Sequence, residues 1–389
     1  MRTTYVAPLT ADTARELQRK SPPFPALEPV PPPAKGELLL VGLDLGTSTS
    51  CLKAAYAGSP DDLVVSEIVP TVVGYAREGI VEHLLPGNAK VLYGQPALKQ
   101  RVYLRLLHPL QNGVVQDLAA AQDFARHLRQ LLNPPPNIEV RAVVGVPASA
   151  DRTARENVSA MLAGLFGRMI LVPEPFLAAL GYRDETRLSD PAYLDPVRNS
   201  LFVDIGAGTT DVCLVQGYYP GPNEQVSSAF GGDEVDRLLQ ESLRRQHPDA
   251  DLSLPRVREL KEQHSHVGQA EGPITATIVL GGKARKIDFT DLIGQSCQRL
   301  LQEVFELVKV AIARASTDTV EELLGNIILT GGGSLVRNLD TELQRLLLED
   351  GYEKPRVLTV GPGYKELVAK GALVAARQAR EGQWLEVAG

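Results

Sequence analysis

The chain lacks an excess of positive charge. Its 389 residues carry 40 Lys and Arg against 47 Asp and Glu, a net charge of −7. This argues against a general nucleic-acid partner, which would select a basic surface, while leaving room for a local basic patch. Aromatic residues are scarce at 5%, so bases would find few platforms to stack on. The three cysteines, Cys51, Cys213 and Cys297, show neither metal-binding nor disulfide spacing, which fits a reduced cytosolic compartment. No apolar run approaches the ~20 residues needed to cross a bilayer, and the N-terminus has no basic-then-apolar secretion pattern. A soluble, cytoplasmic protein without direct membrane insertion is expected. A GxxxxGK[ST] stretch is also missing, which excludes a P-loop.

Proline, in contrast, is concentrated. Pro22, Pro23, Pro25, Pro29, Pro31, Pro32 and Pro33 all fall within residues 1–36, predicting an extended or disordered tail with at most a short helix over Asp12–Lys20. Beyond Glu37 the chain is long enough for two domains. Buried-strand runs recur at Leu38–Val41, Ala142–Val146, Met169–Val172, Leu201–Val203 and Asn326–Leu329. Helical patterns cover about 150–166, a stretch from Pro175, then Asp233–Arg245, Asp291–Ala315 and Asn338–Leu348. Such alternation predicts an α/β protein with helices on both faces of its sheets. Residues 183–199 are polar and link the halves. Ile274–Ile287 reads as a hairpin around Gly281-Gly282, in a small subdomain inserted into the second half.

The chemistry is carried by a repeat. Gly42–Thr49 (GLDLGTST) returns as Val203–Thr210 (VDIGAGTT). Each copy runs from a buried strand into Asp, then Gly, then hydroxyl residues. The glycine permits a tight turn and close backbone approach. Backbone N–H groups and hydroxyls can then donate to phosphate oxygens, from Gly46, Thr47, Ser48 and Thr49 in the first copy and Gly206, Ala207, Gly208, Thr209 and Thr210 in the second. Asp44 and Asp204 would be repelled by phosphate. They make sense as outer-sphere ligands that hold the waters of Mg²⁺. Asp211 either adds to that shell or fixes the hairpin. One DxGxxT alone is equally a structural turn; two copies, each after a buried strand, favour two phosphate hairpins sharing a cleft. A third Gly-rich element, Gly331, Gly332 and Gly333 with Ser334, offers a flat backbone for a base or sugar. A plain strand-to-helix turn there would need only one glycine.

These segments match a family. Asp44–Thr49, Asp204–Thr210 and Gly331–Ser334 resemble, in order, the phosphate-1, phosphate-2 and adenosine motifs of the actin, DnaK-type chaperone and hexokinase superfamily. Glu174–Gly181 and Val368–Ala372 resemble its two connecting helices. Within it, His108–Val115, Val144–Ala148 and Val203–Val212 are similar to bacterial actins of the MreB and MamK type, with Tyr219–Pro222 and Leu260–Gln263 leaning toward the latter. The resemblance implies an actin-like ATPase fold: two related domains, 37–185 and 200–380, each a mixed sheet flanked by helices. Four subdomains would surround a nucleotide cleft, the small ones at about 62–100 and 230–292, with 381–389 as a C-terminal tail.

The resemblance also implies roles. ATP or ADP with Mg²⁺ would be the cofactors, Asp44 and Asp204 holding the hydrated ion. Glu174, with Asp204, would be catalytic, its carboxylate orienting the attacking water; alone, it is equally an acid placed at a helix N-terminus. Gly232 and Asp233 would line the nucleotide or simply form an acidic first turn. Lys261 and Glu262 would touch ribose and base, or else form a solvated helix face. His264 and His266 have no third ligand in sight, and Cys51 and Cys213 suit small buried packing. The implied activity is ATP hydrolysis coupled to a head-to-tail filament of paired protofilaments, with self as partner and a cargo or adaptor protein left open. A DnaK-type client-binding ATPase and a small-molecule kinase are the alternatives.

Overall fold

The apolar runs become strands covered on both faces, the arrangement a continuous hydrophobic run demands. The computed structural model describes residues 38–59, 62–250, 252–280 and 282–386. The proline-rich segment with the predicted helix Asp12–Lys20, Gly281 of the predicted hairpin turn, and residues 387–389 lie outside the described residues. The strands are β1 (Leu38–Leu45), β2 (Thr49–Tyr56), β3 (Leu63–Pro70), β4 (Val73–Ala76), β5 (Val91–Tyr93), β6 (Leu104–Leu107), β7 (Leu110–Gln111), β8 (Val114–Val115) and β9 (Glu139–Val146). They continue as β10 (Arg168–Pro173), β11 (Ser200–Ile205), β12 (Thr210–Val215), β13 (Gln225–Ser228), β14 (Thr275–Leu280), β15 (Lys283–Asp288), β16 (Ile327–Thr330), β17 (Val357–Thr359) and β18 (Leu385–Glu386).

The sequence repeat is a repeated topology. One sheet has the order β18-β10-β9-β1-β2-β3 and the other β13-β12-β11-β16-β17. In the first, β1, β2 and β3 form an antiparallel meander and β9 and β10 add in parallel beside β1. In the second, β11, β12 and β13 form the meander and β16 and β17 add in parallel beside β11. Parallel neighbours require crossovers, supplied by helices Leu118–Leu132 and Arg152–Leu162 on one sheet and Thr290–Arg314 and Leu339–Glu349 on the other. The two repeats therefore end equivalent central strands. Arg152–Leu162 is shorter than its predicted span. Asp151 caps its start by accepting the Ala154 N–H at 2.7 Å, and Gly164, at φ +72°, turns the chain out just beyond its end.

The small pieces differ from the expected boundaries. β3 pairs within the main sheet, whereas β4, β5 and β6 form a separate three-stranded sheet that extends to Leu107. Its core is Val72, Leu85, Ala97 and Leu104. Strands β14 and β15 form the predicted hairpin. The segment expected as a C-terminal tail is partly sheet: Leu385–Glu386 pair with Arg168–Met169. Glu381 bonds Arg141 at 2.7 Å, and the Arg141 guanidinium lies 5.5 Å from the centre of the buried Trp384 ring. A two-residue strand shows no alternation that a sequence reading could detect. Among the described residues no helix is long and apolar enough to cross a membrane.

Helices Glu174–Tyr182 and Leu367–Gln378 lie between the sheets and share a core with both, including Val143 and Leu40 on one side and Phe202 and Ile328 on the other. They cross backbone to backbone at Gly181 and Gly371. A methyl group on Gly371 would overlap the Leu177 carbonyl oxygen and come within 2.8 Å of the Gly181 nitrogen. Gly42 of β1 has the same constraint against the second helix: its methyl would meet the Leu373 nitrogen at 2.7 Å. Gly371→Ala should therefore cost about 1–3 kcal/mol, the usual range for overpacking, seen as a lower denaturant midpoint. Gly363→Ala, which points into open space, should leave the midpoint nearly unchanged.

Candidate functional site

Each hairpin is braced from behind by residues outside its motif. In the first, the Thr71 hydroxyl donates to the Gly46 carbonyl at 2.7 Å and pairs with the Ser50 hydroxyl at 2.9 Å. The Thr71 N–H donates to the Ser48 carbonyl at 3.0 Å. In the second, the Gly206 N–H donates to the Thr209 carbonyl at 2.8 Å. The first turn of helix Gly232–Gln246 then binds the loop, the Gly232 N–H donating to the Gly206 carbonyl at 3.0 Å and the Asp233 N–H to the Ala207 carbonyl at 2.7 Å. Asp211 fixes the hairpin: its carboxylate accepts the Thr209 hydroxyl at 2.8 Å and the Ser227 hydroxyl at 2.6 Å. It also accepts from the Ala148 and Ser149 backbone of the opposite lobe. The β7–β8 turn reaches across as well. Asn112 and Gly113 both have positive φ, as a two-residue hairpin of type I′ requires, and a methyl on Gly208 would come within 2.7 Å of the Asn112 Cα.

Between the hairpins lies a cavity of about 550 Å³, within the usual span for small-molecule and cofactor sites. Asp44, Gly46, Thr47, Ser48 and Thr49 line it from one lobe, with Glu174. Asp204, Gly206, Ala207, Gly208 and Thr209 line it from the other, followed by Gly232, Asp233, Lys261, Glu262 and the three glycines Gly331, Gly332 and Gly333. Two predicted contacts need correction. Thr210 is buried outside the cavity lining and donates its hydroxyl to the Phe230 carbonyl at 2.7 Å. Ser334 turns its hydroxyl back onto the Gly331 carbonyl at 2.7 Å. Two of the three glycines also have a further physical cause. A methyl on Gly331, at φ +78°, would strike the Asp204 carboxylate, and one on Gly333 would strike the Ile205 side chain. The end of β11 behind the turn demands these glycines, while their backbone lines the cavity in front.

The floor is strongly acidic. Burial, then the charge of Asp204, pushes Asp44 up to about 8. Burial, then Asp211, pushes Asp204 up to about 7. Glu174 is raised well above the usual carboxylate range by burial and then by Asp44, Asp204 and Asp211. Its side chain runs over β9 because Gly145 has none: a methyl there would sit 3.0 Å from the Glu174 Cγ. Desolvated oxygen donors with surplus negative charge suit a hard divalent cation. Among the described residues no three acidic, His or Cys side chains group closely enough to bind an ion directly.

At the far end the sequence reading missed a partner. Arg258 bonds Asp236 and Asp233, each at 2.7 Å, and Lys261 lies 3.0 Å from Asp236, whose side chain is fully buried. Lys261 is thus held in an ion network and not on a solvated face. The signal was present: Asp233 and Asp236, like Arg258 and Lys261, are three apart, which puts each pair on one helix face. Pro362, Tyr364 and Lys365 also line the cavity and had no sequence signal. His266 is buried with a ring nitrogen 3.1 Å from the His264 carbonyl, a packing role. Cys51 and Cys213 are buried, and burial pushes the Cys51 thiol up to about 12, so both are inert.

Two sheets of one strand plan, pinned by crossing helices beneath a cleft that takes an Asp-Gly hairpin from each, make an actin-like fold. The MreB/Mbl protein family model matches residues 39–350, and the chain belongs to that family. Actin-like protein MamK of Paramagnetospirillum magneticum (strain ATCC 700264 / AMB-1) is 31% identical over 311 residues, covering 79% of this chain and 83% of that protein. Among solved structures, a MamK double helical filament is similar with a TM-score of 0.78 and 28% identity, over 88% of this chain and 99% of that one. A non-polymerising MamK mutant bound to AMPPNP is similar at a TM-score of 0.64 and 29% identity, over the same 88% and 99%.

Proposed function

We propose that this protein is an ATP-binding and ATP-hydrolysing bacterial actin that assembles head to tail into cytoplasmic filaments. The observation that carries the reading is the pair of equivalent hairpins: Asp44 and Asp204 enter one cavity from two sheets that share a strand plan. The phosphates would lie between Gly46–Thr49 and Gly206–Thr209, and the nucleoside against Gly331–Gly333, Lys261 and Glu262. Asp44 and Asp204 would hold Mg²⁺ through its waters, and the ion when bound neutralises charge on the phosphate oxygens. Glu174 faces the same cavity, and its carboxylate would accept a hydrogen bond from the attacking water, orienting it in line with the γ-phosphate.

Head-to-tail contacts between copies give an open filament when the rotation between them does not close. The double helical filament of the similar MamK supports paired protofilaments here, and the AMPPNP complex supports an adenine nucleotide. Membership of the MreB/Mbl family favours this reading over the client-binding and small-molecule kinase alternatives. The test is sedimentation of purified protein at micromolar concentration. ATP with Mg²⁺ should move most of the chain into the pellet and raise light scattering. An unchanged supernatant, with binding of ATP demonstrated in parallel, would remove the filament claim and leave the nucleotide site standing.

A further inference from the structure

Lysine is a poor residue for the middle of a covered strand. Lys53 nevertheless lies mid-way along β2, flanked by the buried Leu52 and Ala54, and is itself 4% exposed. Its ammonium has two partners. It donates to the Ser66 hydroxyl of β3 at 2.8 Å, and it forms an ion pair with Glu366 at 2.6 Å. A buried charge is tolerated only when it is paired and hydrogen-bonded, so Glu366 is held where Lys53 puts it. Glu366 closes the 3₁₀ segment Gly361–Glu366, whose Pro362, Tyr364 and Lys365 line the cavity. Gly361, at φ +72°, and Gly363 both look into open space, so neither anchors the segment by packing. At the cavity, the Tyr364 hydroxyl comes within 3.3 Å of where a methyl on Gly332 would sit. Tyr364 and Glu262 line the same cavity, and burial, then the charges of Glu262 and Asp204, raise the pKa of that hydroxyl. The Lys365 ammonium lies 5.8 Å from the ring centre.

We propose that Lys53 is a positioning residue for the nucleoside: through Glu366 it holds Tyr364 and Lys365 against the Gly332 turn, where they contact base and ribose but not phosphate. The inference rests on the proposed nucleotide site. It adds a connection from the nucleoside end of the cleft to β2, the strand that leaves the first phosphate hairpin.

The test compares two probes on the full chain, Mg²⁺–ATP and Mg²⁺–tripolyphosphate, by titration calorimetry. Lys53→Met removes the buried charge and keeps the volume, so the protein should fold, as checked by its melting temperature. It should raise the Kd for ATP about tenfold, the effect of one lost base-stacking contact, and leave the Kd for tripolyphosphate unchanged. Tyr364→Ala should do the same. The double variant should also lose only about tenfold, because both changes undo one arrangement, and Lys53→Arg should restore part of the affinity. Multiplicative losses in the double variant, or an equal fall in tripolyphosphate affinity, would overturn the proposal in favour of a merely structural ion pair. Unchanged ATP affinity in Lys53→Met would overturn it too. If the unaltered chain bound neither probe, the nucleotide site itself would be at fault, which separates the two failures.

Discussion

Glu174→Ala should lower phosphate release by about 100-fold or more, the usual range for a lost general base, while ATP still drives the chain into the pellet. The expectation follows from where the carboxylate sits. It opens helix Glu174–Tyr182, passes over Gly145 and faces the same cavity as Asp44 and Asp204. Burial raises its pKa most, followed by the charges of Asp44, Asp204 and Asp211. A cation beside Asp44 and Asp204 would lower the part of that shift which their charges cause. An acid placed only to satisfy a helix N-terminus would behave differently: its removal costs about 0.3–1 kcal/mol of stability and leaves phosphate release intact. Malachite-green assay of phosphate, alongside pelleting of the same samples, distinguishes the two. Phosphate release at the unaltered rate would remove Glu174 from the catalytic role.

The same geometry explains which parts of the site could be read from sequence. The hairpins could, because a buried strand, an Asp and a Gly must be adjacent in sequence to be adjacent in space; Asp44 and Asp204 needed no tertiary information. The two connecting helices were legible for a similar reason, since Gly181 and Gly371 are required by a crossing that admits no side chain. Thr210 is an exception, because the Phe230 carbonyl that takes its hydroxyl lies on a distant segment the motif does not show. Thr71, Tyr364 and Lys365 were invisible for the opposite reason. Each arrives from a distant segment, and only the folded sheet order brings it to the cleft. The packing reason for Gly331 and Gly333 was not legible, because what they meet, Ile205, lies on another strand. Local chemistry is thus legible and support is not, which is why the missing residues are mostly those that hold others in place.

Asp44→Asn should raise the melting temperature of the nucleotide-free protein by several degrees at pH 8.5 and barely change it at pH 5. A carboxyl whose pKa is raised by folding keeps its proton longer in the folded protein than in the unfolded chain. The stabilisation this confers is complete below the ordinary value of 3.8 and is lost as pH rises through about 8. Asp204, raised to about 7, acts in the same direction over the lower part of that window. Between roughly pH 4 and pH 8 the empty cleft should therefore weaken the fold progressively, by an amount on the order of 5 kcal/mol for Asp44 alone. The cause is burial of charge beside like charge, so two unrelated remedies should work equally well. An amide at position 44 abolishes the charge, and millimolar Mg²⁺ with ATP compensates it. The melting temperature of the unaltered chain should fall with pH without ligand and stay level with it, whereas Asp44→Asn should fall less steeply without ligand, Asp204 still titrating, and gain less from Mg²⁺. Scanning calorimetry across pH 5–8.5 reads all four curves. A nucleotide-free protein whose stability is flat, or rises, over this range would show that the two aspartates are not the strained pair described here. If the two remedies do coincide, the acidity that destabilises the empty cleft is the same acidity that recruits the cation, and nucleotide binding becomes the event that relieves a strain set by the repeat itself.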